Sequence, residues 1–321
     1  MTTPFAFVFP GQGSQAVGML DGWQGHAVVT QTLAEASEAL GEDVAKLIHE
    51  GPKEALALTT NTQPVMLVAG VAAYRVWMSR TGAVPQAVAG HSLGEYSALV
   101  AAGVLSLSQA APLVRLRARA MQEAVPVGVG AMAAVLGLEA GKVTALCAEV
   151  THGFGEGSAE LVQAANFNEP AQTVIAGTKA AVERACEVLK ANGARRALPL
   201  PVSAPFHSSL MQPAAEKLRE ALASLELKAP AITLVNNVDV AVEHDPQRIR
   251  DALYRQAFGA VRWVECIQAL KARGLTTVVE CGPGKVLTGM VGRIDPAMTG
   301  LALFDPATCD SVAAALQDST A

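Results

Sequence analysis

Apolar residues fall along this chain in two rhythms. Short unbroken runs at Phe5–Phe9, Ala87–His91, Ile232–Asn236 and Thr277–Cys281 are closed by glycine, proline or asparagine, and read as strands buried on both faces. Between them apolar positions recur every three or four residues, over Val28–Leu40, Pro64–Ser79, Ser92 to Gly103, Ser108–Glu123, Pro246–Phe258 and Val261–Arg273, with a further helix starting at Met211. These read as helices with one buried face. Asn61 or Thr62 is the expected cap of the second, with Pro64 in its first turn, and Ser108 the expected cap of the helix that ends near Glu123. Strands alternating with helices predict a parallel sheet covered by helices.

From residue 131 the rhythm changes. Ala131–Leu138 reads as a strand, Ala140–Val150 as a helix, Leu161–Asn166 and Thr173–Ala176 as strands, Lys179–Asn192 as a helix and Ala197–Val202 as a strand. That β-α-β-β-α-β order is the ferredoxin-like unit. The expected organisation is a large α/β domain made of 1–127 and 201–321, with a ferredoxin-like small domain inserted at 128–200. After Gly282-Pro283-Gly284 a final helical segment is expected, and the small, polar tail beyond Asp310 reads as loosely held.

Composition narrows the class. The chain has 321 residues, 51% hydrophobic, 17% charged and 4% aromatic, with 28 glycines. That is too apolar for disorder and too poor in charge for a coiled coil. A large β-sandwich would carry more aromatics. A net charge of -5 leaves no basic excess to displace counterions from nucleic acid. The five cysteines, Cys147, Cys186, Cys266, Cys281 and Cys309, are scattered without a C-x-x-C pair, so neither a disulfide framework nor a zinc site is expected. The apolar run at Phe5–Phe9 has no basic residues before it and is short for a signal peptide. The longest apolar stretches, near Val65–Tyr74 and Val129–Leu138, fall short of the ~20 residues that span a bilayer. A cytoplasmic protein without membrane contact is the expectation.

The sharpest chemical signal is Gly90-His91-Ser92-Leu93-Gly94, a G-x-S-x-G between a predicted strand and a predicted helix. That context makes Ser92 a candidate nucleophile, with the Leu93 N–H at a helix N-terminus where an oxyanion is favoured. A serine needs a base. Of six histidines, His207 follows a strand and a proline-shaped turn, Ser203-Ala204-Pro205-Phe206-His207-Ser208, and has a modest lead. Arg117 stands apart on helical arithmetic. At about 100° per residue, Arg115 and Arg119 share one face, while Arg117 projects among Ala110, Leu113, Val114, Ala120 and Met121. A buried guanidinium must meet an anion. An internal Asp or Glu is one candidate, and a substrate carboxylate gripped by paired N–H groups is the other. The loop Gly11-Gln12-Gly13-Ser14-Gln15 lacks the endings of phosphate-binding motifs and suits a second oxyanion donor better.

Together with Phe7–Gln15, Gly90–Tyr96, Met121–Pro126, Asn166-Phe167-Asn168, Phe206-His207-Ser208, Asn236–Asp239 and Gly282–Gly289, these residues resemble the malonyl-CoA:acyl carrier protein transacylase family of fatty-acid synthesis over nearly the whole chain. The resemblance implies a hydrolase-like α/β core with the ferredoxin-like insert. It implies Ser92 as acylated nucleophile, His207 as base, and Arg117 as partner of the malonyl carboxylate. Gln12 and Leu93 become the oxyanion donors, Gln256 supplies the backbone carbonyl that orients the histidine, and Asn166 lines the site. The implied reaction is ping-pong transfer from malonyl-CoA to the phosphopantetheine thiol of acyl carrier protein, with no metal or organic cofactor. A monomer is the separate expectation, on which the sequence itself is silent. Phe206 beside the base would crowd an α-methyl branch, so malonyl is expected over methylmalonyl by ~1–3 kcal/mol. An esterase-like hydrolase, an acyltransferase serving a polyketide synthase in trans, and a noncatalytic binding homologue are the competing readings. Lys190, Arg195 and Arg196, or Lys285 and Arg293, are candidates for meeting an acidic carrier protein.

Overall fold

A computed structural model describes residues 3–202 and 204–318. In chain order the elements are β1 (Phe5–Phe9), α1 (Ala27–Leu40), α2 (Val44–Glu50), α3 (Lys53–Ala57), α4 (Thr59–Thr81), β2 (Ala87–Gly90), α5 (Gly94–Ala101) and α6 (Leu107–Glu123). Next come β3 (Gly130–Leu136), α7 (Ala140–Gly153), β4 (Val162–Glu169), β5 (Gln172–Thr178), α8 (Lys179–Ala191) and β6 (Arg196–Pro199). The chain then returns through α9 (Gln212–Ala223), β7 (Thr233–Val235), α10 (Pro246–Phe258), α11 (Trp263–Ala272), β8 (Thr277–Cys281), α12 (Val286–Ile294), β9 (Thr299–Leu303) and α13 (Pro306–Asp318).

Five strands form one sheet in the order β7-β2-β1-β8-β9, every neighbouring pair parallel. Its central strand shows why the sequence reads as an unbroken apolar run. Phe5, Phe7 and Phe9 face Tyr74 and Trp77 of α4 on one side, while Ala6 and Val8 join Trp263 and Ile267 of α11 in the core on the other. Both faces are dry, so no polar alternation survives. The second sheet is antiparallel, order β4-β5-β3-β6, and uses only chain between 130 and 199. With α7 and α8 packed around their own apolar cluster, it is the ferredoxin-like unit expected from the element order. The fold is α/β, with this unit inserted into the parallel-sheet core. Strand β4 is tied to the large unit at the turn between α10 and α11: the Phe167 N–H donates to the Val261 carbonyl and the Val261 N–H to the Ala165 carbonyl, each at 2.9 Å.

Helix boundaries depart from expectation for identifiable reasons. Ser106, two residues before the expected cap, closes a capping box with Gln109. Helix α4 starts at Thr59, before both expected caps, so Pro64 lies inside it. Proline cannot donate to the Thr60 carbonyl one turn back, and Arg115 donates to that oxygen instead, at 2.5 Å. The tail is a correction. Helix α13 continues past Asp310, with Cys309, Val312 and Leu316 buried, and the Thr3 N–H donates to the Leu316 carbonyl at 2.8 Å. Those apolar residues recur on one helical face, a pattern diluted in the sequence by alanines. Residues 319–321 of that tail, and Ser203 in the turn before His207, lie outside the described residues.

Candidate active site

The parallel strands all point their C-terminal ends at one crevice, the usual place for a site in an open α/β sheet. There β2 ends at Gly90 and α5 begins at Gly94, so the chain must reverse within three residues. Ser92 sits in the turn at φ 51°, a left-handed conformation that a non-glycine residue rarely takes. Two glycines permit the reversal: a Cβ on Gly90 would lie 1.9 Å from the Gly94 carbonyl carbon, and one on Gly94 would lie 2.0 Å from the Phe9 oxygen. Asn237, two residues past the end of β7, holds both limbs of the turn. Its Oδ1 accepts the Ser92 N–H at 2.7 Å and its Nδ2 donates to the Gly90 carbonyl at 2.7 Å.

The Ser92 hydroxyl lies 2.6 Å from His207 Nε2. His207, also at positive φ (60°), has its Nδ1 facing the Gln256 carbonyl at 3.0 Å and the Gly259 carbonyl at 3.2 Å. Carbonyls can only accept, so the ring proton belongs on Nδ1 and the Nε2 lone pair faces the serine. Burial pushes the His207 pKa down to about 3, with the charge of Arg117 acting in the same direction. The imidazole is therefore neutral at neutral pH, with its Nε2 lone pair free for the serine proton but its basicity held low.

Arg117 is 2% exposed, as helical arithmetic predicts. Of the two candidate partners, an internal carboxylate is not what it touches. Nη1 donates to Gln63 Oε1 at 2.6 Å, while Nη2 donates to Gln256 Oε1 at 3.0 Å and reaches Ser92 Oγ at 3.3 Å. The Tyr96 ring lies 5.4 Å from the guanidinium carbon, and Nε has no partner among the described residues. Neither the two neutral amides nor the ring face brings a countercharge into contact with the cation. The arrangement can take an anion within reach of the nucleophile.

Ser92, Arg117 and His207 open onto a cavity of about 640 Å³ between the two sheets, lined also by Gln12, Leu93, Asn166 and Phe206. The Gln12 and Leu93 backbone N–H groups have no acceptor among the described residues, and the Gln12 side chain donates instead to Thr59 Oγ1 at 3.3 Å. The residues expected from the sequence are thus gathered around one space. A second cavity of about 470 Å³, between α7, β4 and the Phe258–Ala260 turn, shares only His207 with the first.

Sequence reasoning did not assign roles to Gln63, Glu95 or Asn237. Gln63 carried a signal, as an amide at the head of the apolar stretch that follows it in α4. Glu95 is 1% exposed, and its Oε2 accepts from the Asn237 N–H at 3.0 Å and Gln256 Nε2 at 3.1 Å. Glu95 and Asn237 meet only in three dimensions, across 142 residues of chain.

A model of the family described as acyl transferase domain matches residues 6–294. A malonyl CoA-acyl carrier protein transacylase of Escherichia coli strain K12 is 51% identical over 316 residues, covering 98% of this chain and 99% of that protein. The crystal structure of an acyl-carrier-protein S-malonyltransferase from Burkholderia pseudomallei 1710b superposes with a TM-score of 0.93 at 61% identity, covering 96% of this chain and 99% of that one. A malonyl-transacylase solved in complex with its type II PKS acyl-carrier protein superposes with a TM-score of 0.93 at 48% identity, covering 98% of this chain and 100% of that one.

Proposed function

The chain belongs to the malonyl CoA-acyl carrier protein transacylase family, and from that premise we propose that it moves a malonyl group from malonyl-CoA to the phosphopantetheine thiol of acyl carrier protein, in fatty-acid biosynthesis. The observation that carries the reading is Arg117: a buried cation without a carboxylate partner, 3.3 Å from the Ser92 hydroxyl that His207 also contacts.

Ser92 gives its proton to His207 Nε2 and its Oγ attacks the thioester carbon. The oxyanion that forms is held by the free N–H groups of Gln12 and Leu93. Collapse breaks the C–S bond, and the CoA sulfur leaves with the proton from His207. In the second half the carrier thiol gives its proton to His207 and attacks the malonyl-serine ester, and Ser92 leaves with that proton. The transfer is complete without a metal or organic cofactor. Two neutral carbonyls, from Gln256 and Gly259, orient the histidine in place of an acidic third member. Arg117 contributes to keeping His207 weakly basic, so a malonyl carboxylate on Arg117 offsets that repulsion and strengthens the base when the correct acyl group is seated. Phe206 is read as the wall that disfavours an α-methyl branch, and Asn166 as a polar wall on the small-sheet side.

The proposal includes a monomeric, cytoplasmic enzyme that engages neither nucleic acid nor membrane. Among the described residues no helix is long and apolar enough to cross a bilayer. Lys285 immediately precedes α12, whose Val286 and Leu287 line the cavity, and so is the better placed of the carrier-docking candidates, whereas Arg293 is held by Glu169 at 2.7 Å. The likeness to a polyketide malonyl-transacylase supports a second reading with the same chemistry and a different carrier, which rates on the two classes of carrier protein separate. The test of function is intact mass after exposure to malonyl-CoA, acetyl-CoA or methylmalonyl-CoA, followed by carrier protein. One malonyl adduct is expected, absent in Ser92→Ala and discharged to the carrier. Free malonate with no malonyl-carrier would make the protein a hydrolase.

A further inference from the structure

Glu95 is a buried acid that the transfer chemistry leaves unused. It lies in the first turn of α5, three residues past the nucleophile, with no ion-pair partner among the described residues. Both hydrogen bonds it accepts fall on Oε2, from the Asn237 N–H and Gln256 Nε2. Gln256 links it to the rest of the site. The same Nε2 also donates to the Ser92 carbonyl at 2.8 Å, Oε1 accepts from Arg117, and the backbone carbonyl accepts from His207. Arg117 and Glu95 therefore hold opposite ends of one side-chain amide, its oxygen toward the cation and its NH₂ toward the anion. One buried positive and one buried negative charge balance.

A substrate carboxylate on Arg117 upsets that balance, leaving two anions about one cation among buried side chains. We propose that Glu95 is the counter-charge and positioning residue of the acyl pocket: it balances Arg117 through the Gln256 amide before the acyl group arrives, and takes up one proton when the malonyl carboxylate settles there. The proton comes from water and goes to Oε1, because Oε2 already accepts two N–H groups. This rests on the reading of Arg117 as the malonyl partner.

The surroundings leave the acid free to respond. Burial raises the Glu95 pKa to about 7, against the opposing pull of Gln256, Asn237 and Arg117. Asp239, after β7, repels it, but Asp239 is itself clamped by Arg255 of α10 at 2.6 and 2.7 Å. Cys266 of α11 and the neighbouring Tyr96 are held neutral by burial. Burial also disfavours the charged forms of His91 and His207 at the elbow. Glu95 is the group in this cluster poised to change charge near neutrality.

The experiment measures kcat/KM for malonyl-CoA and for acetyl-CoA, with one carrier protein, from about pH 6 to about pH 9, in wild type and Glu95→Gln. Both thioesters carry the same coenzyme, so its phosphates cancel in the comparison. In wild type the malonyl value is expected to fall about tenfold per pH unit above about pH 7 while the acetyl value stays level, and in Glu95→Gln both stay level. Calorimetry on wild type, in two buffers of unequal ionisation heat, should register net proton uptake near pH 7 with malonyl-CoA and none with acetyl-CoA. It decides the matter even if the variant does not fold. A malonyl-to-acetyl ratio that is high but independent of pH, without proton uptake, overturns the role of Glu95. So does a Glu95→Gln profile with the wild-type slope. A ratio near one at every pH instead overturns the reading of Arg117.

Discussion

Arg117 and Ser92 meet although 25 positions separate them in sequence, and each alone carries a cost. Ser92 is held at positive φ, and Arg117 is a cation out of water whose partners, two amides and the Ser92 hydroxyl, are all uncharged. Such costs persist where surrounding contacts impose them. Arg117→Ala is expected to lower kcat/KM for malonyl transfer by the worth of a buried charge pair, about 2–5 kcal/mol, or roughly thirty- to several thousand-fold, while acetyl transfer is spared or improved. Arg117→Lys should recover little, because a lysine cannot present two parallel N–H donors. Equal losses for malonyl and acetyl in a steady-state comparison would make Arg117 structural. The position of Arg117 on the buried helical face was legible in the sequence. Its partners were not, because Gln63 and Gln256 come from helices whose approach depends on packing.

At the scale of elements, the join between β2 and α5 decides whether there is a nucleophile. The Gly90 Cβ position overlaps the backbone of the following helix, and backbone cannot step aside as a flexible side chain can. Gly90→Ala is expected to destabilise the fold by about 3 kcal/mol, the upper part of the range for overpacking, and to slow acyl-enzyme formation. Urea denaturation and the rate of the malonyl mass shift measure the two. Unchanged values of both would show that the turn relaxes freely. The same scale explains what periodicity reads well and poorly. Strands β1 and β8 and helix α10 match their sequence expectations end to end, and most of their ends abut a proline, glycine or aspartate: Pro4 and Pro10, Gly282, and Asp245 and Gly259. Strand β9 is a partly exposed edge, Thr-Gly-Leu-Ala-Leu, with weak strand propensity, and α13 is rich in alanine, so neither announces itself.

For the whole molecule, the depressed basicity of His207 is a collective property. It arises where the small sheet closes over the parallel sheet and buries the ring. Its folded pKa of about 3 lies below the ordinary 6.5, so between those values the unfolded chain binds a proton that the folded protein refuses. The contribution is absent above about pH 6.5, and stability falls as pH drops toward 3, by up to about 1.4 kcal/mol per unit. Urea midpoints at several pH values from neutral to about 4.5 should therefore fall less steeply in His207→Gln than in wild type; parallel acid slopes would rule the effect out. The sequence by itself determined the layered α/β class, the inserted antiparallel unit, the elbow with its serine, and an arginine facing inward, because each depends on residues close along the chain. Tertiary structure decided that Asn237 holds the elbow, that amides and not carboxylates meet Arg117, and that Glu95 shares Gln256 with it. Those contacts join residues 54 to 161 positions apart, and long-range contacts of that kind leave no periodicity to read: only the packing of α4, α5, α6 and α10 around the strand ends brings the groups within hydrogen-bond distance.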